Sequence, residues 1–154
     1  MNNFAYTKAP NYDEASALVK GGKYSLPVLK SGGLDLLDLM KSGIVEPDLV
    51  IDVRGAGGGG ARIAEIAASG RLMNIAATAT LAEMSRDLRL WQLAPVVAQA
   101  AESAATPQVR NVATAAGNLL QRPRCWYFRN EEFDCLKKGG HKCFAVEGEN
   151  EYHA

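Results

Sequence analysis

Long apolar runs are scarce in this sequence. The most apolar stretch, 94–101, is interrupted by Gln99 and is too short to span a bilayer. Charge of one sign is missing too: 17 Lys+Arg balance 17 Asp+Glu, for a formal net charge of zero. The chain as a whole therefore carries no signature of nucleic-acid or membrane-surface binding. Residues 1–10 hold no charged segment followed by an apolar one, so no secretory signal is read there. The expectation is a cytoplasmic protein, with export alongside a partner left open. No Ser/His/Asp or paired-carboxylate set stands out, and Asp52 and Glu65 read as surface or capping residues. There are three cysteines, and an odd count without an export signal argues against a disulfide framework. No internal repeat is present.

What remains is an ordinary globular composition, 47% hydrophobic and 22% charged over 154 residues. That length suits about one domain, or two small subdomains sharing a core. The first third alternates strand and helix signals. A short strand is expected over 4–8, then a helix over 12–20 opened by Asn11 and closed by Gly21-Gly22. An apolar run at 26–29 leads through Ser31-Gly32-Gly33 into a helix over 34–41, with Leu36, Leu37 and Met40 at helical spacing and Asp35 and Asp38 on its exposed edge. A buried strand follows at 49–53. Residues 55–60, five glycines in six, read as a subdomain connection or hairpin tip; the Lys and Gly spacing of a phosphate-cradling loop are absent.

Further on, 71–77 reads as a strand. A helix over 81–86 carries a capping box, Thr80 with Glu83 three residues later. The longest helical candidate, 90–105, is rich in Ala, and Pro95 suggests that it starts near Ala94. Beyond Pro107 the periodic signals fade and loop is expected. This is also where the charge becomes uneven: Arg110, Arg122, Arg124 and Arg129 stand with no acid between them, and Lys137, Lys138 and Lys142 follow.

Two loops have the makings of an anion site. In the first, an apolar strand runs through Gly32-Gly33 into a helix, and a helix N-terminus offers unpaired N–H groups to a phosphate. In the second, small residues flank Thr114, whose hydroxyl can donate, while Gly117 relaxes the backbone and Asn111 and Asn118 can hydrogen-bond a ligand or tie down the turn. Either loop taken alone also reads as a plain connection.

Together the two loops resemble a known pattern. The segment SGGLDLLDLMK at 31–41 resembles the glycine-glycine flavin loop of the FAD-binding (medium) subunit of molybdenum hydroxylases, the xanthine dehydrogenase family. RNVATAAGNLLQR at 110–122 is similar to that family's second FAD loop, and RCWYFR at 124–129 with CLKKGGHKCFAVEGENEYHA at 135–154 resembles the cysteine-bearing insertion of one branch. Leu34 stands where the family often has Thr, and Ala116 where it usually has a glycine. The resemblance implies an α+β fold: an FAD-binding PCMH-type, vanillyl-alcohol-oxidase-like domain of two small α/β subdomains. These would be residues 1–54 and 55–154, the second partial and bearing the Cys insertion 122–154, with the domain truncated at its C-terminus.

The same resemblance implies the cofactor and its ligands. FAD would rest on Val28, Leu29, Lys30, Ser31, Gly32, Gly33, Leu34, Asp35 and Leu36, with Thr114, Ala115, Gly117 and Asn118 on its other side. It further implies an electron-transfer subunit of a molybdopterin-dependent dehydrogenase, passing electrons from iron–sulfur centres through flavin to an acceptor such as NAD. Its partners would be a molybdopterin-binding large subunit and a [2Fe-2S] small subunit in a heterotrimer. By itself the fragment is expected to be inactive.

Three thiols within nineteen residues, Cys125-x9-Cys135-x7-Cys143, read as a ligand set amid basic residues. The resemblance makes Cys125, Cys135 and Cys143 ligands of a [4Fe-4S] cluster whose fourth ligand lies beyond Ala154. Two other readings stay open: zinc on Cys125, Cys135, His141 and Cys143, or unligated thiols. A zinc-stabilised nucleic-acid module would use Trp126, Tyr127 and Phe128 as stacking platforms. A docking fragment that binds nothing is the third possibility.

Overall fold

The structure is a computed structural model, and it describes residues 2–58, 63–66 and 72–153. The expected features at 59–60 and at Arg71, and the side chain of Glu65, lie outside the described residues. The chain begins with β1 (Ala5–Lys8), α1 (Tyr12–Lys20), β2 (Pro27–Lys30), α2 (Leu34–Lys41) and β3 (Leu49–Asp52). These strands form a parallel sheet in the order β1-β3-β2. All four residues of β3 are buried, as a central parallel strand covered on both faces requires. The carboxylate of Asp48 fixes the approach to β2 by accepting from the backbone N–H groups of Ser25 (2.6 Å) and Leu26 (3.0 Å).

Helix α1 starts where its sequence says: Asn11 accepts from the Glu14 N–H at 2.8 Å. Helix α2 matches its expected span and part of its expected face: Met40 is buried and Asp38 exposed as expected, but Asp35 is half-buried. Leu39 and Met40 are buried, whereas Leu37 is exposed. Leu39 is drawn inward by the cysteine-bearing segment, where it packs with Cys125, Phe128 and Cys135.

An antiparallel hairpin follows, β4 (Ile63–Ile66) with β5 (Leu72–Ile75). Helix α3 (Leu81–Arg86) carries the full capping box, with the Thr80 N–H donating to Glu83 at 2.7 Å and the Glu83 N–H to Thr80 Oγ1 at 3.1 Å. The long helix expected over 90–105 is instead two, α4 (Leu88–Leu93) and α5 (Pro95–Ser103). Pro95 forbids α geometry at Ala94, which sits at φ −145° and ψ 63°. Asp87 opens α4 by accepting from the N–H groups of Arg89 and Leu90.

The stretch expected to be loop after Pro107 holds α6 (Pro107–Arg110), α7 (Ala115–Leu119), α8 (Trp126–Arg129), a 3₁₀ turn (Leu136–Lys138) and α9 (Phe144–Glu147). It has a core of its own, in which Cys125, Phe128 and Cys135 are buried with Leu39 of α2. A second cluster lies around β3 and α1, and a third unites the hairpin with α3, α4 and α5. No helix among the described residues is long and apolar enough to cross a membrane.

Candidate functional site

A cleft of about 830 Å³ opens between the two glycine-bearing loops. One wall is the β2–α2 turn: Val28, Leu29, Lys30, Ser31, Gly32, Gly33, Leu34, Asp35 and Leu36 all line it. The facing wall includes Thr114, Ala116, Gly117 and Asn118. Ala115, expected at the site, turns away and packs on the hairpin–α3 core, its N–H donating to the Ala79 carbonyl at 2.8 Å. Ala116 takes its place in the wall. Asn111 is not among the lining residues.

The loops meet backbone to backbone. A Cβ built on Gly32 would lie 2.3 Å from the Val112 carbonyl oxygen, so only glycine lets the loops close to this distance. Gly33 is needed for a different reason. Its φ of +81° is a left-handed conformation that side chains disfavour, and it opens α2. No side chain caps α2 among the described residues, so the N–H groups of its first turn face the cleft without a protein acceptor. Beside them, Ser31 Oγ is buried with no hydrogen-bond partner among the described residues. A buried hydroxyl left unpaired costs about 1–3 kcal/mol, and a phosphate oxygen would satisfy it.

On the facing wall Thr114 is 2% exposed, and its Oγ1 accepts from the Gly117 N–H at 3.3 Å. Its own hydroxyl proton remains to donate. A Cβ on Gly117 would stand 3.0 Å from that Oγ1, tight enough to favour glycine. Backbone bonds from Leu81 to Ala113 (2.9 Å) and from Ala116 to Ala77 (3.0 Å) hold this loop on the start of α3. Elsewhere in the cleft lining, Ala105 adopts φ 48°, and Arg110 donates to the carbonyls of Ala104 and Ala105, both at 3.0 Å. Arg110 thus serves the wall rather than a solvated loop.

Two expected cofactor residues spend their charges elsewhere. The Asp35 carboxylate pairs with Arg129 at 2.6 Å and accepts the Arg122 N–H at 2.9 Å, while a second Arg129 nitrogen reaches Asp38 at 2.8 Å. The Lys30 ammonium turns to Asp52 at 3.3 Å. Asp52 itself is a correction to the sequence reading: it is 3% exposed, not on the surface. Burial pushes its carboxyl up, but hydrogen bonds from Arg54, Tyr6 and Lys30 outweigh this and hold it far below the usual carboxylate range. A strand-end aspartate opposite a lysine was the available signal. Its partners arrive from β1, β2 and the turn after β3, and local pattern does not bring them together.

The cysteine-bearing segment forms a third wall through Arg122, Arg124, Phe128, Lys137 and Lys138. Among the described residues no group of three or more His, Cys, Asp or Glu side chains is gathered to hold a metal. Cys125 and Cys135 are buried in an apolar cluster with Leu39 and Phe128, while half-buried Cys143 precedes α9. Exposed His141 is bound to Asp134, 2.7 Å from Nδ1 to Oδ2, and does not join a zinc set. The segment holds its shape through Arg129 and an aromatic trio, Tyr127, Phe133 and Phe144, with ring centroids 5.0–5.3 Å apart. The [4Fe-4S] and zinc expectations are therefore not met by these residues as placed. Nor are the three stacking platforms: Trp126 is exposed, but Phe128 is buried beneath the guanidinium groups of Arg122 and Arg129.

Known proteins are similar to this chain in sequence and fold. The chain is 36% identical to the aldehyde oxidoreductase FAD-binding subunit PaoB of Escherichia coli (strain K12), over all of this chain and 47% of that protein. It thus spans about half the length of that relative. Carbon monoxide dehydrogenase from Hydrogenophaga pseudoflava superposes with a TM-score of 0.67 at 30% identity, covering 77% of this chain and 39% of the other. Reconstituted CO dehydrogenase from Oligotropha carboxidovorans gives 0.67 at 25% identity, covering 76% and 39%. Residues 2–132 match the family model of the FAD binding domain in molybdopterin dehydrogenase, and the chain belongs to that family.

Proposed function

We propose that this cleft is where the chain holds FAD, and that the chain serves as the FAD-binding electron-transfer subunit of a molybdenum-containing dehydrogenase. What carries the reading is the pairing of Ser31 Oγ, buried and unpartnered among the described residues, with the uncapped first turn of α2 in the wall of a cleft that both loops line. The Ser31 hydroxyl and the N–H groups at the start of α2 hold the diphosphate, and Gly32 keeps a side chain out of the space it needs. Thr114, Gly117 and Asn118 hold the cofactor from the other wall. Asp35 contributes through its backbone, because its carboxylate belongs to Arg129 and Arg122.

FAD, when bound, supplies reversible acceptance and release of electrons, and the protein's part is to bind and orient it. No acid–base pair is required of the chain. In the proposed assembly, electrons come from iron–sulfur centres of partner subunits and leave to an acceptor such as NAD. The partners are a molybdopterin-binding large subunit and a [2Fe-2S] small subunit. Residues 1–54 and 55–154 act as the two subdomains enclosing the flavin. Cys125, Cys135 and Cys143 are assigned no cluster. Support comes from the kinship with the aldehyde oxidoreductase subunit and the CO dehydrogenases.

The test is direct. Flavin-free protein titrated with FAD should quench flavin fluorescence and saturate at one FAD per chain. A chain that folds cooperatively and leaves flavin emission untouched would overturn the proposal.

A further inference from the structure

Lys30 lines the cleft, but its side chain is not free to reach into it. Its stem runs beneath the glycine turn: a Cβ on Gly33 would lie 2.8 Å from Lys30 Cε and 3.2 Å from Cγ. At its end the ammonium donates to the Ser31 carbonyl and to Asp52 Oδ2, both at 3.3 Å. Lys30 and Asp52 stand opposite each other at the ends of β2 and β3. Asp52 Oδ2 also accepts from the Tyr6 hydroxyl and an Arg54 nitrogen, each at 2.6 Å, and Oδ1 accepts the Arg54 N–H at 2.9 Å. A buried carboxylate so surrounded has one geometry open to it. Whatever it holds is therefore held in place.

We infer that Asp52 is a positioning residue for the cofactor loop: it clamps Lys30 under the Gly32–Gly33 turn, and the clamped lysine sets the shape in which Ser31 and the start of α2 meet a diphosphate. The inference rests on the FAD reading of the cleft. It has a consequence of definite sign. Asp52 with Lys30 and Arg54 carries a net charge of +1, one anion against two cations. Asp52→Asn raises this to +2. If Lys30 served only as nearby positive charge, the variant would bind a dianion more tightly. If the clamp matters, it binds more weakly.

The experiment measures FAD affinity by fluorescence quenching and apo-protein melting on the full chain, in the assembly in which it is purified. Asp52→Asn and Lys30→Met should each raise the FAD Kd by about tenfold, the loss of one charge-assisted contact's worth of order in the loop. The double variant should be no weaker than either single one, because both break the same clamp. Arg54→Met is the control. It removes an ion pair from the same carboxylate yet leaves Lys30 clamped, so stability falls while the FAD Kd stays within about twofold. Should Asp52→Asn fail to fold, Lys30→Met and Arg54→Met carry the same contrast, since Asp52 keeps other partners in both. Unchanged or tighter binding by Asp52→Asn or Lys30→Met overturns the inference, as does an equal loss in Arg54→Met. Failure of the unaltered protein to bind FAD instead overturns the underlying reading, and the clamp's role with it.

Discussion

At the scale of single residues, the two adjacent glycines do different work, and substitution separates them. Gly32→Ala drives a methyl group into the Val112 carbonyl, a backbone atom that yields only if the second loop moves. Overpacking of this kind costs about 1–3 kcal/mol, and here the loss falls on the gap between the walls. Gly33→Ala instead meets the Lys30 stem, whose methylenes can shift while the ammonium stays on Asp52, and about 1–2 kcal/mol of its cost comes from the left-handed backbone. Melting temperatures of the two variants should therefore be similar, while FAD affinity should fall further in Gly32→Ala. Equal affinity losses would show that the contact between the loops does not set the cleft's width. Sequence alone marks both glycines. It assigns the crowding to the ligand, because the approach of Val112 depends on residues eighty positions apart.

At the scale of elements, the cysteine-bearing segment is tied to α2 by charge. Arg129 is 14% exposed and Asp35 16%, so their contact at 2.6 Å is shielded from solvent on both sides. Arg129 also donates to the carbonyls of Pro123 (2.8 Å) and Arg122 (3.0 Å), making one guanidinium the joint of three stretches of chain. Arg129→Met and Asp35→Asn should each destabilise the protein. A double-mutant cycle in urea should give a coupling energy of about 1–2 kcal/mol. Trypsin should cut the basic segment faster in Arg129→Met, because the joint is what holds it against α2. Additive energies would mean that the segment is held by its apolar cluster alone. The alternation of strands and helices in the first third is legible from sequence because caps and glycines act over three or four residues, as Asn11 and Thr80 show. The burial of Cys125, Phe128 and Cys135 is not, because a run of Arg, Lys and aromatic residues looks solvated until α2 is brought against it.

At the scale of the whole molecule, the parallel sheet carries a buried charge at the end of its central strand, and this sets how the protein meets acid. The carboxyl of Asp52 titrates far below its ordinary range in the folded state, so the unfolded chain takes up a proton first. Stability from this group is complete above the unfolded pKa, about 4, and is lost as pH falls from there toward the folded value. Asp87, lowered chiefly by its hydrogen bond from Arg89, acts in the same direction. His141 acts oppositely, since Asp134 raises its pKa, but it is exposed and screened. Circular dichroism should therefore show a broad plateau across neutral pH and acid unfolding well below pH 4. Arg54→Met removes the strongest hydrogen bond holding the Asp52 carboxyl down, so its acid transition should move to higher pH. An unmoved transition would mean that Tyr6 and Lys30 alone suffice to keep the carboxylate charged, and that the sheet's acid tolerance comes from β1 and β2 rather than from the turn after β3.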